Sequence, residues 1–466
     1  MLKMRTIARA LLLVAAKPAL AGTVSVTNPA DNGPGNCTNG CTLRDAIATA
    51  NSGDTIDFSI ALPSTIVLSA GELLFPTSVH IVGPGAGLLA VSAANNTRVL
   101  NISDGSNVSV SGLTLRDGHV SGNSGSNGDT GQPGGTGFPA AGGCIYVHDG
   151  ARLTLARVAV TSCTASGGRG GNGGKGLVDP GQTGSQGGDG GTGGAALGAI
   201  YSAGDLTIVQ SSVTGCTLEA GGGGYGGGIG YGGLRYNVGA GGSGGAAYGG
   251  GVYASAGTLL VSNSTISNCM LSGGSGESAP YLGYPYGYLK NVAGSGGNAS
   301  GGSVFVGANV TAAVVEFSTL SGNTVSGGNG GSYPFQAPNG SVIAEALDSK
   351  TPLSIKSSIV ASVGAAADCA GLINSEGGNF DRNSTCTGFS VHGTVANALM
   401  PLAANADGTF SLRPRFGGAV IDAATDCTLL DQSASIEDQH GTLRPQGPAC
   451  DLGAIEADYM FVSGFD

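Results

Sequence analysis

Short runs of alternating apolar and polar residues fill the chain, and one ordered set of them is written three times. Cys144-Ile145-Tyr146, Leu153-Thr154-Leu155 and Val160-Thr161-Ser162-Cys163 return as Ala199-Ile200-Tyr201, Leu206-Thr207-Ile208 and Val213-Thr214-Gly215-Cys216. They return again as Gly251-Val252-Tyr253, Leu259-Leu260-Val261 and Ile266-Ser267-Asn268-Cys269, with 53 residues between successive final cysteines. Strict alternation predicts strands with one buried face, and a fixed period means stacked units that cannot bury that face alone. Looser copies, Val108 to Leu115 before and Val304 to Asn323 and Leu353 to Val360 after, belong to the same series.

One coil, Gly143 to Cys163, holds three short strands and three corners, which is the size of one turn of a parallel β-helix whose strands stack about 4.8 Å apart. The expected fold is all-β, a right-handed single-stranded parallel β-helix over residues 54–367. Residues 22–53 form its N-terminal cap. There Thr42 and Asp45 make a capping box ahead of the stripe Leu43, Ala46, Ile47 and Ala50, so a short helix should cover the open end of the core. Residues 368–466 read as final coils and a C-terminal cap protecting the last rung.

Glycine-rich segments, roughly 165–198, 219–250, 271–302 and 325–345, separate the copies. Each leaves after the Cys or Asn column and re-enters before Ile or Val, so they are expected as long insertions at one corner; the alternative is an extra glycine-rich coil in each. With 89 Gly, no Trp and 11% charged residues, the composition suits thin strands and turns. Met1 to Ala21 has the layout of a secretory signal peptide, basic residues ahead of the apolar run Ala10 to Ala16 and Ala19-Leu20-Ala21 before Gly22. Its removal would take away Lys3, Arg5, Arg9 and Lys17 and no acid, moving the formal charge from −11 to −15. A surface this acidic disfavours nucleic acid, anionic lipid and acidic polymers. No other run approaches the roughly 18 apolar residues of a membrane helix.

Ten cysteines in an exported chain are most simply disulfides. Cys37 with Cys41, Cys369 with Cys386 and Cys427 with Cys450 are the local pairs. Cys144 over Cys163, and Cys216 over Cys269, fall within bonding reach if the coil closes as expected. A buried thiol ladder is the equal alternative for those four.

Cys41-Thr42-Leu43-Arg44-Asp45-Ala46-Ile47, with Gly53-Asp54-Thr55-Ile56-Asp57-Phe58, resembles the "CSLREA" opening of bacterial surface proteins with a right-handed β-helix. Ala419 to Ala423, Asp438 to Pro445 and Cys450 to Glu456 are similar to that family's "choice-of-anchor Q" ending. The central copies look like the repeats of polymorphic outer-membrane proteins, which carry Asn where this chain has Cys163, Cys216 and Cys269. Asn323 keeps it. The resemblance implies an exported, adhesin-like β-helix, extracellular or associated with the bacterial cell surface and outer membrane.

Catalytic constellations are sparse. Lyases and hydrolases of polysaccharides on this fold need clustered carboxylates with Ca²⁺, or an acid beside Lys or Arg. Asp117-Gly118-His119 is the nearest approach, and His80, His119, His148, His392 and His440 lack metal spacing. No catalytic or metal residue and no cofactor is expected; Ca²⁺ in the acidic C-terminal region has no motif behind it, and solvated surface charge is the reading taken there. Motif matches inside the glycine segments, such as Gly241 to Gly245 for G-x-S-x-G or Gly187 to Gly191 for a calcium repeat, are accidents of composition. Tyrosine is more informative. Tyr225, Tyr231, Tyr236, Tyr281, Tyr284, Tyr286 and Tyr288 sit within two glycine segments and suit contact with sugar rings or protein, or else fold back to anchor the loops. The function expected is a non-catalytic surface interaction protein with a glycan or protein partner. A polysaccharide lyase or hydrolase and a structural surface-layer component are the rivals.

Overall fold

Alternation decides which way each side chain turns. In the coil ending at Cys163, Ile145, Val147, Leu153, Leu155 and Val160 are fully buried while Tyr146 and Thr154 face outward. The next coil stacks in parallel register, Ile145 on Ile200, Leu153 on Leu206 and Val160 on Val213. Repetition of this step builds a right-handed parallel β-helix with a 14-stranded and a 10-stranded sheet enclosing one apolar column. The computed structural model describes residues 21–33, 35–38, 40–177, 186–228, 238–280, 292–332, 335–382 and 384–457. The signal-peptide expectation therefore lies, but for Ala21, outside the described residues.

Two devices turn the corners. Arg157, Gln210, Asn263, Phe317 and Ser357 occupy one column of positive φ. Beside them Ser211, Ser264, Ser318 and Ser358 form a buried ladder, each hydroxyl oxygen accepting from the backbone N–H of the preceding rung at 3.0–3.2 Å. A buried N–H at a corner has no strand to pair with, so the ladder satisfies it internally.

The capping helix is present at Leu43–Thr49, with Thr42 and Asp45 making both bonds of the capping box. Leu43, Ala46, Ile47 and Ala50 join the main core at its N-terminal end. Asp31 and Arg44, 2.9 Å apart, tie the preceding loop to this helix.

The C-terminal region departs from expectation. Coils continue through Cys369–Ser375, Phe380–Asp381 and Val391–His392. Beyond Val395 the chain does not simply close the last rung. It crosses back to the N-terminal rungs and then runs forward along the outer face of the 10-stranded sheet: Gly87 N–H reaches Asp407 O, Phe410 N–H reaches Ser212 Oγ, Gln439 meets Thr265, and Gly453 N–H donates to Ser357 O. The cap is thus a strap, and a second apolar cluster, Phe317, Ile359, Phe380, Leu412, Val420 and Leu452, lies beneath it.

Its acids divide: Asp407, Asp426 and Asp431 are exposed, as expected of surface charge, but Asp438, Asp451 and Glu456 are buried, as is Arg444, which pairs with Glu456 at 2.9 Å and sits 4.7 Å from the Phe317 ring centre. The motif segments Asp438 to Pro445 and Cys450 to Glu456 are folded onto one another by this cation, which also donates to the carbonyls of Asp451 and Gly453.

Candidate functional site

Five excursions leave the solenoid at one corner, as expected. They include one between Ser121 and Ala140, with seven Gly in 18 residues, that was passed over in the sequence. They are neither loose loops nor extra coils. Each goes out and comes back as a pair of extended legs, and the legs of successive rungs stack into two layers. Outgoing Gly122, Gly125 and Gly128 donate to Ser166, Arg169 and Asn172 of the next rung, a bond every third residue. Between the layers Gly168, Gly171 and Gly174 donate to Phe138, Gly135 and Gln132, and Gly188, Gly191 and Gly194 donate back to Gly174, Gly171 and Gly168. A period of three is that of the polyproline II helix, which has no internal hydrogen bonds and so leaves every N–H free for a neighbour.

Glycine is required here for room. A Cβ on Gly171 would lie 1.9 Å from Ser126 O, and one on Gly224 would lie 1.9 Å from Gly171 O. The triplets Gly167-Gly168-Arg169 and Gly170-Gly171-Asn172 place two glycines inside and the third side chain outside. Where the lattice ends, toward the N-terminus, Asn123, Ser126, Asp129 and Phe138 replace inner glycines because no leg lies beyond them.

At the neck of this projection the two feet of each rung are joined by chemistry that varies down the stack. Cys144 and Cys163 form a disulfide across one rung, Cys216 and Cys269 form one between the next two, and Asn323 Nδ2 donates to Ser303 Oγ at 2.7 Å in the last. With Cys37–Cys41, Cys369–Cys386 and Cys427–Cys450, all ten cysteines are paired, which decides against the thiol ladder. Five disulfides fit an oxidising, extracellular compartment.

Two outward surfaces result. On the outgoing layer Asn127, Asn172, Tyr225, Ser278 and Ser332 form one column. Asn127 Oδ1 accepts from Asn172 N–H, Asn172 Oδ1 from Tyr225 N–H, and Ser278 Oγ from Ser332 N–H. Tyr225 is exposed, with the Arg169 guanidinium 4.9 Å from its ring centre. Arg169 also pairs with Glu277. Of the expected contact tyrosines only Tyr225 can be placed; Tyr231, Tyr236, Tyr281, Tyr284, Tyr286 and Tyr288 lie outside the described residues.

The other surface was missed from sequence, although its signal stands in the repeated phrase itself. Tyr146, Tyr201, Tyr253 and Phe305 are in register on adjacent strands of the large sheet. Their rings form a ladder with centroids 4.8, 5.5 and 5.1 Å apart. The returning layer rises beside them, and its Tyr248 meets Phe305 at 4.8 Å. Outward side chains of two adjoining sheets touch only where the angle between the sheets is re-entrant, so the ladder is the floor of a groove along the helix axis. Burial raises the phenol pKa of Tyr146 and Tyr253, helped by neighbouring Tyr201, while Arg98 opposes the shift at Tyr146. These phenols therefore stay protonated donors.

At the N-terminal end of the groove Arg98 pairs with Glu72 at 3.3 Å and stands 5.3 Å from the Tyr146 ring centre. His148 lies 4.6 Å from Tyr146 and pairs with Asp104. Asp117 and His119 are not brought together, since Asp117 binds Ser92 and Arg116 while His119 turns to Ser121. Under the strap His440 joins Asp407 at 3.1 Å and Ser411 at 3.2 Å, a nucleophile-like order. However, Ser411 is fully buried and its hydroxyl donates to Asn405 Oδ1, so this triad is a joint in the strap. Among the described residues no three His, Cys, Asp or Glu side chains gather to hold a metal, and no helix is long and apolar enough to cross a membrane.

No family model and no curated protein matches the chain. Solved structures similar to it include two polysaccharide lyases. The structure titled as pectate lyase Pel9A is 13% identical with a TM-score of 0.29, over 94% of this chain and 97% of that one. The structure titled as the PL6 family alginate lyase AlyGC is 10% identical with a TM-score of 0.19, over 85% of this chain and 56% of that one.

Proposed function

We propose that this is an exported, non-catalytic interaction protein, adhesin-like and held at a cell surface, that uses its β-helix as a rigid stalk for an extracellular glycan or protein ligand. One observation carries the reading: about a fifth of the chain is given to a two-layer glycine lattice that encloses no apolar core and projects side chains from two flat faces. Such a layer adds surface in a fixed orientation, and Tyr225 with Arg169 supplies a rigid amphipathic contact on one face. The test is binding of the purified protein to immobilised glycans and to extracellular matrix proteins, before and after Tyr225→Ala. Saturable binding to at least one class is expected; absence of binding to either sinks the proposal.

A second reading, a polysaccharide lyase or glycoside hydrolase, is favoured by the gathering of Arg98, Tyr146, His148 and Glu72 at one end of the groove. An Arg to neutralise charge beside groups able to move a proton is what such chemistry requires. Incubation with neutral and acidic polysaccharides, with and without Ca²⁺, separates the two. Sustained chain cleavage that Tyr146→Phe or His148→Ala abolishes establishes the enzyme reading.

A further inference from the structure

We infer that the groove beside the lattice binds a segment of an uncharged polysaccharide, laid along the helix axis over the tyrosine ladder; this rests on the interaction reading and names its ligand class. The floor is Tyr146, Tyr201, Tyr253 and Phe305, and the wall is Leu197 and Tyr248, all in register with the rung repeat. The stacked rings cover one another's faces, so what they present to the groove is a row of edges and phenol hydroxyls at rung spacing. None of those hydroxyls hydrogen-bonds within the described residues, and burial raises the phenol pKa of Tyr146 and Tyr253. A repeating array of unpartnered donors on an apolar floor matches a ligand with repeating hydroxyls and apolar C–H surfaces. That is the chemistry of a sugar polymer.

Charge selects within that class. The cations at the two ends of the ladder are each neutralised, Arg98 by Glu72 and Lys350 by Asp348 at 2.7 Å. Among the described residues the groove therefore holds no free cation to hold a carboxylate, and the chain as a whole is formally −11. An acidic polymer meets net repulsion, which salt would screen. A neutral one does not.

The wall is also built to leave the groove open. Outward positions of the returning layer next to it are Pro139, Ala195, Ala246 and Asn298, so the middle of the ladder is flanked by small side chains.

The experiment is affinity electrophoresis of the full chain through gels containing hydroxyethyl cellulose, arabinoxylan or laminarin, with polygalacturonate and alginate as acidic comparators. Retardation by at least one neutral polymer is expected. The double variant Tyr201→Phe/Tyr253→Phe, which keeps the stack and removes two hydroxyls, should weaken it at least fivefold. Ile436→Ala, an exposed position on the strap, should leave it unchanged. Unchanged disulfide content and circular dichroism confirm the fold of each variant. If Tyr225→Ala removes retardation and the ladder variant does not, the groove assignment is overturned while the interaction reading stands. Stronger retardation by the acidic polymers overturns the charge argument. No retardation by any polymer, with saturable binding to a matrix protein, overturns the glycan assignment alone, and no binding of either kind overturns both.

Discussion

The solenoid and the glycine lattice stack at the same rung spacing but are held together by opposite means. In the solenoid each rung contributes Leu, Ile and Val to a dry column, and backbone pairing follows the strands. In the lattice the interior is backbone alone, with bonds along each layer and across the two. The first kind of packing depends on side-chain volume and forgives a shape change by relaxing. The second depends on the absence of side chains and has nothing to relax, because carbonyl oxygens already stand against the α-carbons, an arrangement that also makes weak Cα–H···O contacts. Hydrophobic burial contributes little there, so its stability must come from satisfied backbone groups and from a stem already fixed by the solenoid.

The sharpest way to break this comparison uses two adjacent glycines. A Cβ on Gly221 would lie 1.9 Å from Gly168 O, whereas the nearest atom to one on Gly222 is at 3.5 Å, and neither residue has positive φ. Gly221→Ala should cost on the order of 3–5 kcal/mol, as much as a buried Leu155→Ala. Gly222→Ala should stay within about 0.5 kcal/mol. Amide exchange tells where the loss falls: Gly221→Ala should expose the lattice legs while Leu153 and Leu206 remain protected. Equal tolerance of both alanines would mean the lattice is not close-packed.

Next in size is the neck that joins the two regions. Cys144→Ser/Cys163→Ser opens a 19-residue loop and should lower stability by about 3 kcal/mol in the chain-entropy account. Asn323→Ala, which removes the equivalent hydrogen-bonded closure, should cost about 1–2 kcal/mol. Chemical denaturation of the two variants measures both. A smaller loss for the disulfide pair would mean the stem is held by its layers rather than its feet.

How much of this could be read beforehand follows from the same contrast. The solenoid writes itself in side chains: Leu153, Val160 and Cys163 repeat with period 53, and the capping box at Thr42 and Asp45 is a local code. The lattice writes itself in the spacing of glycines. Gly167-Gly168-Arg169-Gly170-Gly171-Asn172-Gly173-Gly174-Lys175 has period three, and that period was the available signal. Tests of composition and of phosphate or calcium motifs pass over it. The tyrosine ladder was legible as a repeat but not as a site, because only the stacking of successive rungs brings Tyr146, Tyr201 and Tyr253 together across 55 and 52 residues. The strap was not legible at all: contacts such as Gln439 with Thr265 span 174 residues and follow no period.

The strap adds buried charge to the apolar cluster beneath it, and its acids give a pH test. Burial raises the Asp451 carboxyl to about 6, against a usual value near 3.8. A folded-state pKa above the unfolded one favours folding while the group is protonated. That contribution is complete below about pH 4 and is lost as pH rises through 6, on the order of 2–3 kcal/mol. Asp426, lowered to about 2 by its bonds to Lys356 and Thr428, acts oppositely, its contribution fading only as pH falls from 4 toward 2. Thermal unfolding of Asp451→Asn should therefore show a flatter profile than the parent chain between pH 4 and 6. An unchanged slope would show that Asp451 is already ionised and balanced by Arg444.

The smallest effect tests the outer surface of the lattice. Each glycine pair satisfies its own N–H groups, but the third residue of a triplet points its N–H outward, and Asn172 Oδ1 meets that of Tyr225 at 3.0 Å. Asp189 does the same for Ala240 at 2.7 Å and Asn298 for Ser341 at 2.8 Å. Asn172 is exposed, so water replaces the lost acceptor, and Asn172→Ala should cost only about 0.5–1 kcal/mol. Asn172→Asp keeps the acceptor and should cost less, whereas Asn172→Gln, whose longer side chain misses the N–H, should resemble alanine. Faster exchange of the Tyr225 amide in the alanine and glutamine variants, with Gly224 still protected through Gly191, would separate an outer layer of side-chain caps from the backbone lattice beneath. If Gly224 opens together with Tyr225, the caps belong to the lattice itself, and the third position of each triplet constrains the fold as firmly as the glycines do.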